Sequence, residues 1–577
     1  MRRTPSAAGL AALGILLLAI GTSPSPAQTA LAPAPARAAA WRQDVDSAEA
    51  RITRIHPRPW AHVTQAAFRR AAAELRASVP RLSDPEALVG LMRLVASVRD
   101  GHTYITDLGP TGARWFPVRF YRFEDGLFVT AATPAVPGLP GSRVLRVGRL
   151  SADSAEARIL TVASGDNDFS RREELGLMSS AIVLDGLHVT DDTTHLTLEV
   201  ESPGGARRAV QLEASASDGT QDWRQRGEFW APPGQQLVTA FAGRAPSTFR
   251  TPPGNPDLPL HLRLRLAYWW TAVLDSGFVY FQLNAVAAQP SYAPKSLLQT
   301  VREMMAYVDT ATPRPARLIL DLRYNSGGDG SLNARIVNEI IKRDSSVNRR
   351  GRLFVLTGRK TFSAAVDLTL EILRHTDAIL VGEPMGASRQ AAGDPMDGVL
   401  PAHRIGLAIS THYLPVSPDS SPVVEVEVPA PFTGADYFAG RDPALMAILA
   451  EPAPMPTIAD VLRTEGVAAA RRLWERQSAR YGLIPWWQPF RQSEMNDLGY
   501  DLIGEHRAAD AVIAFELNTE RFGDRWETWD SLGDGYRAAG RNADALAAYR
   551  HALALAPDNW NSAAQRRAIA ELSATAR

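Results

Sequence analysis

The sequence predicts an α/β layered core flanked by an N-terminal helical cap, a β-rich middle region and C-terminal α-helical repeats. Between His261 and Leu449 the apolar runs FVYFQL, LILDLR, LFVLTG and AILVGE alternate with stretches of amphipathic three-four spacing. That is the pattern of buried parallel strands crossed by helices. Upstream, short β-rich runs are punctuated by Gly and Pro; downstream, a segment repeats with a shift of 34 residues.

A chain of 577 residues exceeds one ordinary core and implies about three or four domains. Lys+Arg 62 balance Asp+Glu 62, so no net field draws the chain to nucleic acid or to an anionic membrane face. With Cys 0, disulfides, thiolate metal sites, a cysteine nucleophile and a lipidated cysteine are all excluded. Covalent chemistry, if any, falls to another side chain.

Residues 1–27 read as a signal peptide: Arg2 and Arg3 precede an apolar run from Ala7 to Ile20, and Ser25-Pro26-Ala27 has the small-x-small form of a cleavage site. The expectation is export, to the periplasm or beyond, with no integral span after cleavage; an uncleaved anchor is the alternative. Residues 28–40 form an Ala/Pro tract that reads as a linker. Residues 41–112 read as a helical cap ending at the His102 motif, with apolar spacing in AAFRRAAAELRASV and, after a cap-like Ser83-Asp84, in PEALVGLMRLVASV. In 113–250 the runs VRFYRF, LFVTAA, SRVLRVG and HLTLEVE predict small sheets. Residues 261–450 form the α/β core. In 453–577, Leu498 recurs as Leu532, Gly499 as Gly533, Phe515 as Tyr549 and Trp526 as Trp560, a helix-turn-helix period resembling the tetratricopeptide repeat. Such repeats leave a groove for a protein partner or pack as a structural cap; both readings stay open.

Three segments could carry chemistry. In RLILDLRYNSGGDG a strand enters a loop with adjacent Gly327 and Gly328, whose backbone amides can approach a ligand as in an oxyanion hole. A phosphate cradle is disfavoured because Asp329, Gly330 and Ser331 follow where a Walker loop needs Lys and a hydroxyl; an ordinary turn is the plain alternative. In LFVLTGRKTFSAAVDLTLEIL, Ser363 stands between strand and helix, as a nucleophile or simply an N-cap. In LVASVRDGHTYI, His102 follows a helix end, and imidazole is the usual base for serine. No HExxH or helical His pair suggests a metal.

Taken together, SVRDGHTYI, DLRYNSGG, TFSAA, AILVGEPMG and DYFAGRDPAL resemble the family of tail-specific (carboxy-terminal processing) proteases and tricorn protease, over about residues 41–450. The resemblance implies a ClpP/crotonase-like layered core and a serine-type endopeptidase acting on peptides or proteins. It implies Ser363 as nucleophile, His102 as base, and an oxyanion hole from Gly327 or Gly328 and Ala364, with no metal or organic cofactor. The Ser-Lys branch of the family places a lysine after the strand equivalent to AILVGE; here the loop reads PMGASRQ, so the Ser-His branch is implied, and Lys360 does not match the family position. Tricorn's assisting Glu points to Glu425, with Glu427 next, although alternating glutamates also suit a solvated strand face. Relatives often carry a Pro-Asp pair where this chain has Val426-Glu427, and a PDZ-like module in the region of 113–250, of which only GSRVLRVGRLSADSAEARIL is reminiscent. No carboxylate-binding loop is visible there. Val366 stands where the family favours an acidic residue, which keeps alive a second expectation: a non-catalytic ligand- or protein-binding member of the same fold, using the helical repeats for partner contacts.

Overall fold

The structure is a computed structural model and describes residues 34–108, 114–132, 136–216, 259–263, 267–289, 295–343, 346–415, 421–450 and 455–575. The residues read as a signal peptide, the start of the stretch read as a linker and the end of the 113–250 region lie outside these.

The cap is helical, with helices Ala34–Ile55, Gln65–Ser78 and Asp84–Ala96. The first begins inside the Ala/Pro tract read as a linker. Alanine is the strongest helix former and Pro35 falls in the first turn, where a missing N–H costs nothing, so the end of the tract joins the helix. The third starts with a capping box: the Glu86 amide donates to Ser83 Oγ at 3.3 Å and the Ser83 amide to Glu86 Oε2 at 2.7 Å. Trp41, Phe68, Leu88 and Leu91 fill the cap's interior.

The middle region is a twisted sheet of strands Val118–Phe123, Gly126–Ala132, Arg143–Val147, His195–Glu201 and Arg207–Glu213. The segment GSRVLRVGRLSADSAEARIL forms a strand, turn and helix, as Arg143–Val147 leads through Leu150–Ser151 into helix Ala152–Leu160. Cap and middle sheet share one apolar core.

The α/β core is built on a six-stranded sheet in the order Trp269–Val273, Val279–Leu283, Leu318–Asp321, Leu353–Thr357, Ile379–Gly382, Val428–Pro429. The first pair is antiparallel and the rest are parallel. Alternate residues serve opposite faces. Leu318, Leu320, Leu353, Val355 and Leu380 pack under helices Leu297–Thr310, Asn333–Ile341 and Ala364–His375. Ile319, Phe354, Leu356, Ile379 and Val381 meet helix Pro443–Ala450 and the rings of Tyr481 and Trp487 on the other face. Both faces are thus covered, which is why these strands read as unbroken apolar runs.

A hairpin of Ala391–Val399 and Gly406–Leu414 pairs through its second strand with Tyr104–Asp107, so the segment following His102 is sewn to the core's own hairpin. The tail contains helices Gln492–Gly504, Ala508–Phe522, Trp526–Ala538 and Asn542–Leu555, antiparallel pairs matching the 34-residue shift. A Cβ on Gly499 would lie 2.4 Å from Phe515, and one on Gly533 2.6 Å from Tyr549, so each copy seats an aromatic ring against a glycine at the same place. The preceding helix Val467–Tyr481 packs on the core through Trp474 and Tyr481.

Candidate active site

Parallel strands deliver their following loops to one edge of the sheet. The three central strands therefore bring together the loop with Gly327 and Gly328, the loop ending at Ser363, and the loop Met385–Arg389.

Ser363 precedes helix Ala364–His375 with φ 53 and ψ −131. An N-cap residue normally has extended backbone and bonds an amide of the first turn. Ser363 does neither: it makes no capping hydrogen bond. An L-residue in this region is strained by about 1–3 kcal/mol and persists only where its surroundings over-determine it. They do so here. Thr361 Oγ1 donates to the Leu322 carbonyl at 2.8 Å and accepts from the Gly358 amide at 3.1 Å. The Phe362 amide donates to the Asn325 carbonyl and the Gly386 amide to the Thr361 carbonyl, both at 2.9 Å. The result is a sharp strand-to-helix elbow that leaves the hydroxyl half-buried and without a hydrogen-bond partner among the described residues.

The glycine loop lies against this elbow. A Cβ on Gly327 would sit 2.6 Å from Ser363 Cβ and 3.1 Å from Oγ, and both Gly327 (φ 111) and Gly328 (φ 133) have left-handed backbone. The loop is zipped to Val286, whose amide donates to the Gly327 carbonyl while the Asp329 amide donates back to its carbonyl at 2.6 Å. The Gly327 amide is itself engaged, donating to Asn325 Oδ1 at 2.9 Å. The Gly328 and Ala364 amides have no acceptor among the described residues. Of the candidate oxyanion donors, Gly328 and Ala364 are the free pair, and Gly327 supplies the clearance.

The loop's entry is anchored by buried charge. Arg323 makes a two-pronged bond to Asp442 (2.9 and 2.8 Å) and also donates to Asp321 (2.6 Å from Nη2). Burial pushes the Asp442 carboxyl up, but Arg323 and then His261 outweigh it and hold it far below the usual carboxylate range. The DLR and RDP portions of the sequence motifs are thus two halves of one structural ion pair.

His102 is buried, 7% exposed, with its ring stacked on Phe362 at 4.3 Å between centroids. It stands beside the residue preceding Ser363 and is not hydrogen-bonded to the hydroxyl. Burial lowers its pKa below 6.5, only partly offset by Asp100, the Ala392 carbonyl and Asp394. The imidazole is therefore neutral at neutral pH, and its Nδ1 is buried with no hydrogen-bond partner. Glu425 is held elsewhere: it pairs with Arg389 at 3.0 Å and is not among the groups acting on His102. Glu427 pairs with Arg350. Lys360 lines a separate cavity with Tyr121, Arg359 and Tyr437.

Two aspartates to which the sequence assigns no chemical role stand at the His102 turn. Asp100 accepts from His56 Nε2 (2.9 Å), Thr103 Oγ1 and Ser410 Oγ (both 2.6 Å) and the His102 amide (3.0 Å). Burial raises its pKa, but these four donors together bring it below the ordinary value. Asp166 accepts from the Gly101 amide at 2.6 Å and the Ser388 amide at 3.2 Å. No motif marks Asp166, and its contacts are too distant in sequence to be foreseen.

No protein-family model matches the chain, and no curated protein matches it. Several solved structures are similar. Mature CPAF complexed with lactacystin is 12% identical, with 72% of this chain and 97% of that chain covered and a TM-score of 0.48. The photosystem II D1 C-terminal processing protease is 12% identical over 74% and 98%, with a TM-score of 0.31. Tricorn protease is 13% identical over 72% of this chain and 36% of that one, with a TM-score of 0.30. These proteases are structural neighbours of the chain.

Proposed function

We propose that the chain is a serine-type endopeptidase that works through a Ser363 acyl-enzyme. The observation that carries this reading is the Ser363 elbow: a strained, uncapped serine pressed against Gly327 of a glycine loop, with the next residue's amide and that of Gly328 without an acceptor among the described residues. In this reading neutral His102 takes the Ser363 proton as the hydroxyl oxygen attacks a peptide carbonyl. The tetrahedral oxyanion is received by the Gly328 and Ala364 amides. On collapse His102 returns the proton to the leaving amine, and water then repeats the sequence on the ester. The base and nucleophile are not yet hydrogen-bonded, which is usual before substrate closes a site. The carboxylate beside the imidazole in this scheme is Asp100 or Asp394 rather than Glu425. The N-terminal segment is proposed as an export signal and the C-terminal helix pairs as tetratricopeptide-like repeats for protein contacts.

The test is intact-mass analysis of the protein after incubation with a fluorophosphonate, beside Ser363→Ala and His102→Ala. A single adduct on wild type, absent from the first variant and slowed at least about 100-fold in the second, is expected. Folded wild-type protein that takes no adduct and cleaves neither casein nor a peptide library would turn the assignment toward a binding protein on the same scaffold.

A further inference from the structure

Gly101, the residue before His102, has no room for a side chain. A Cβ on it would meet the Phe362 ring at 2.7 Å on one side and Asp166 Oδ1 at 3.3 Å on the other. The base-bearing turn is therefore held between the nucleophile's neighbour and one carboxylate. That carboxylate uses its two oxygens on different segments: Oδ1 accepts from the Gly101 amide at 2.6 Å, and Oδ2 accepts from the Ser388 amide at 3.2 Å. The next residue extends the reach. Asn167 Nδ2 donates to the Met385 carbonyl and to the Pro422 carbonyl, both at 3.0 Å. Asn167 is 4% exposed, and its Oδ1 caps helix Asp168–Glu173 by accepting from the Phe169 and Ser170 amides at 2.9 and 3.0 Å. The loop gripped from this side is gripped from the other by the nucleophile elbow, since the Gly386 amide donates to the Thr361 carbonyl.

We propose that Asp166 and Asn167 are positioning residues: a two-residue clamp, anchored on the cap of a short helix, that sets the place of the His102 turn relative to Ser363 by tying both to the loop Met385–Ser388. The inference rests on the peptidase reading for its chemical consequence, while its structural content stands independently. The clamp has no part in bond making. Its effect is to fix distance, and a misplacement of about 1 Å at a reacting centre costs on the order of 100-fold in rate.

The clamp is strongest with Asp166 ionised, because a proton on either oxygen turns one of the two charge-assisted amide bonds into a weaker bond to a hydroxyl oxygen. Burial first, and then the charge of Asp100, push its carboxyl up to about 7, against the lowering effect of the Gly101 and Ser388 amides. Among the described residues Asp100 is the titratable group that acts on it. Behind Asp100 lies His56, and His102 and Ser410 contact Asp100 from the turn itself and from the hairpin. Protonation therefore weakens the clamp as pH falls through neutrality, above the range in which buried His102 titrates.

Asp166→Asn is the matched test. It keeps the shape, removes a costly buried charge and so keeps the fold, but offers one acceptor where two are used. Two readouts are taken: hydrogen exchange at the Gly101 and Ser388 amides, and the rate of fluorophosphonate labelling of Ser363 from pH 5 to 9. Expected are faster exchange at one or both amides, labelling slowed about 10- to 100-fold, and loss of a rate limb near pH 7 that is expected of wild type. Asn167→Asp, which keeps the helix cap but removes the donors to Met385 and Pro422, is expected to slow labelling without moving that limb. Unchanged exchange at both amides refutes the clamp, and so does raised exchange with a wild-type labelling profile. If wild type itself takes no label, the peptidase reading fails, and exchange alone decides whether the clamp holds the turn.

Discussion

Gly327 faces Ser363 across a gap that has no room for a methyl group: its Cβ would lie 2.6 Å from the serine Cβ, 3.1 Å from the Phe362 carbonyl oxygen and 3.1 Å from Oγ. The contact is with backbone and with the base of a side chain, so nothing flexible can yield. Gly327 also has φ 111, where any side chain is strained. Gly327→Ala is expected to lower Ser363 labelling at least about 100-fold, the scale of losing an oxyanion donor, because the loop must back away and carry Gly328 with it. Parallel thermal melts should show a loss of about 1–3 kcal/mol, from strain at one position rather than collapse of the fold. Wild-type labelling by this variant would mean that the glycine loop takes no part in the chemistry.

Ser363 itself trades stability for geometry. Its φ of 53 is costly for serine and free for glycine. Ser363→Gly is expected to abolish labelling and yet to leave stability equal or higher by up to about 1–2 kcal/mol, the relieved strain less the added entropy of the unfolded chain. Ser363→Ala, which keeps the Cβ, should gain nothing. Equilibrium denaturation of the three proteins checks this. A destabilised glycine variant would show that the elbow is not strained.

The Arg323–Asp442 pair is buried, with Arg323 6% and Asp442 7% exposed, and breaking it leaves Arg323 on Asp321 or Asp442 beside His261. Arg323→Leu, which leaves Asp321 and Asp442 without their guanidinium, is expected to cost about 3–5 kcal/mol, seen as a fall in denaturant midpoint, and to loosen the loop 324–328, and Asp442→Asn to cost less because Arg323 keeps Asp321. The double variant should cost less than the sum, because each single change already removes the Arg323–Asp442 bond that the other would break.

What the sequence made legible follows from burial. The strands Leu318–Asp321, Leu353–Thr357 and Ile379–Gly382 are covered on both faces, so their composition alone announced them, and the loops at their ends followed. The hairpin Ala391–Val399 with Gly406–Leu414 escaped notice because the first strand is largely solvent-facing and contains Gly393, Asp394, Pro395 and Gly398, a turn-like composition. The segments of Ser363, His102 and the glycine pair are marked by motif, and the structure brings these segments near one another. The choice among amides was not readable, since it depends on Asn325 Oδ1 occupying the Gly327 N–H. Glu425 was suggested by its place in the chain, but only the fold shows it turned to Arg389. Asp166 lies 65 positions from Gly101 and 222 from Ser388, contacts that no local pattern encodes.

The buried imidazole gives the last expectation. Burial holds the His102 pKa below 6.5 in the folded protein, whereas in the unfolded chain it returns to about 6.5. As pH falls through 6.5 the unfolded state takes up a proton that the folded state refuses, so stability is lost from there down to the folded value and then levels off. Asp166 has the opposite sign: its folded pKa of about 7 lies above the unfolded one, so its protonation favours the folded state as pH falls through 7 toward 4. The two partly cancel in wild type. Melting curves recorded across pH 4 to 8 for wild type, His102→Gln and Asp166→Asn separate them. The glutamine variant is expected to lose less stability than wild type below pH 6.5, and the asparagine variant to lose more. If the His102→Gln curve runs parallel to wild type, the imidazole is not buried in its neutral form, and the base proposed for Ser363 would have to be sought elsewhere.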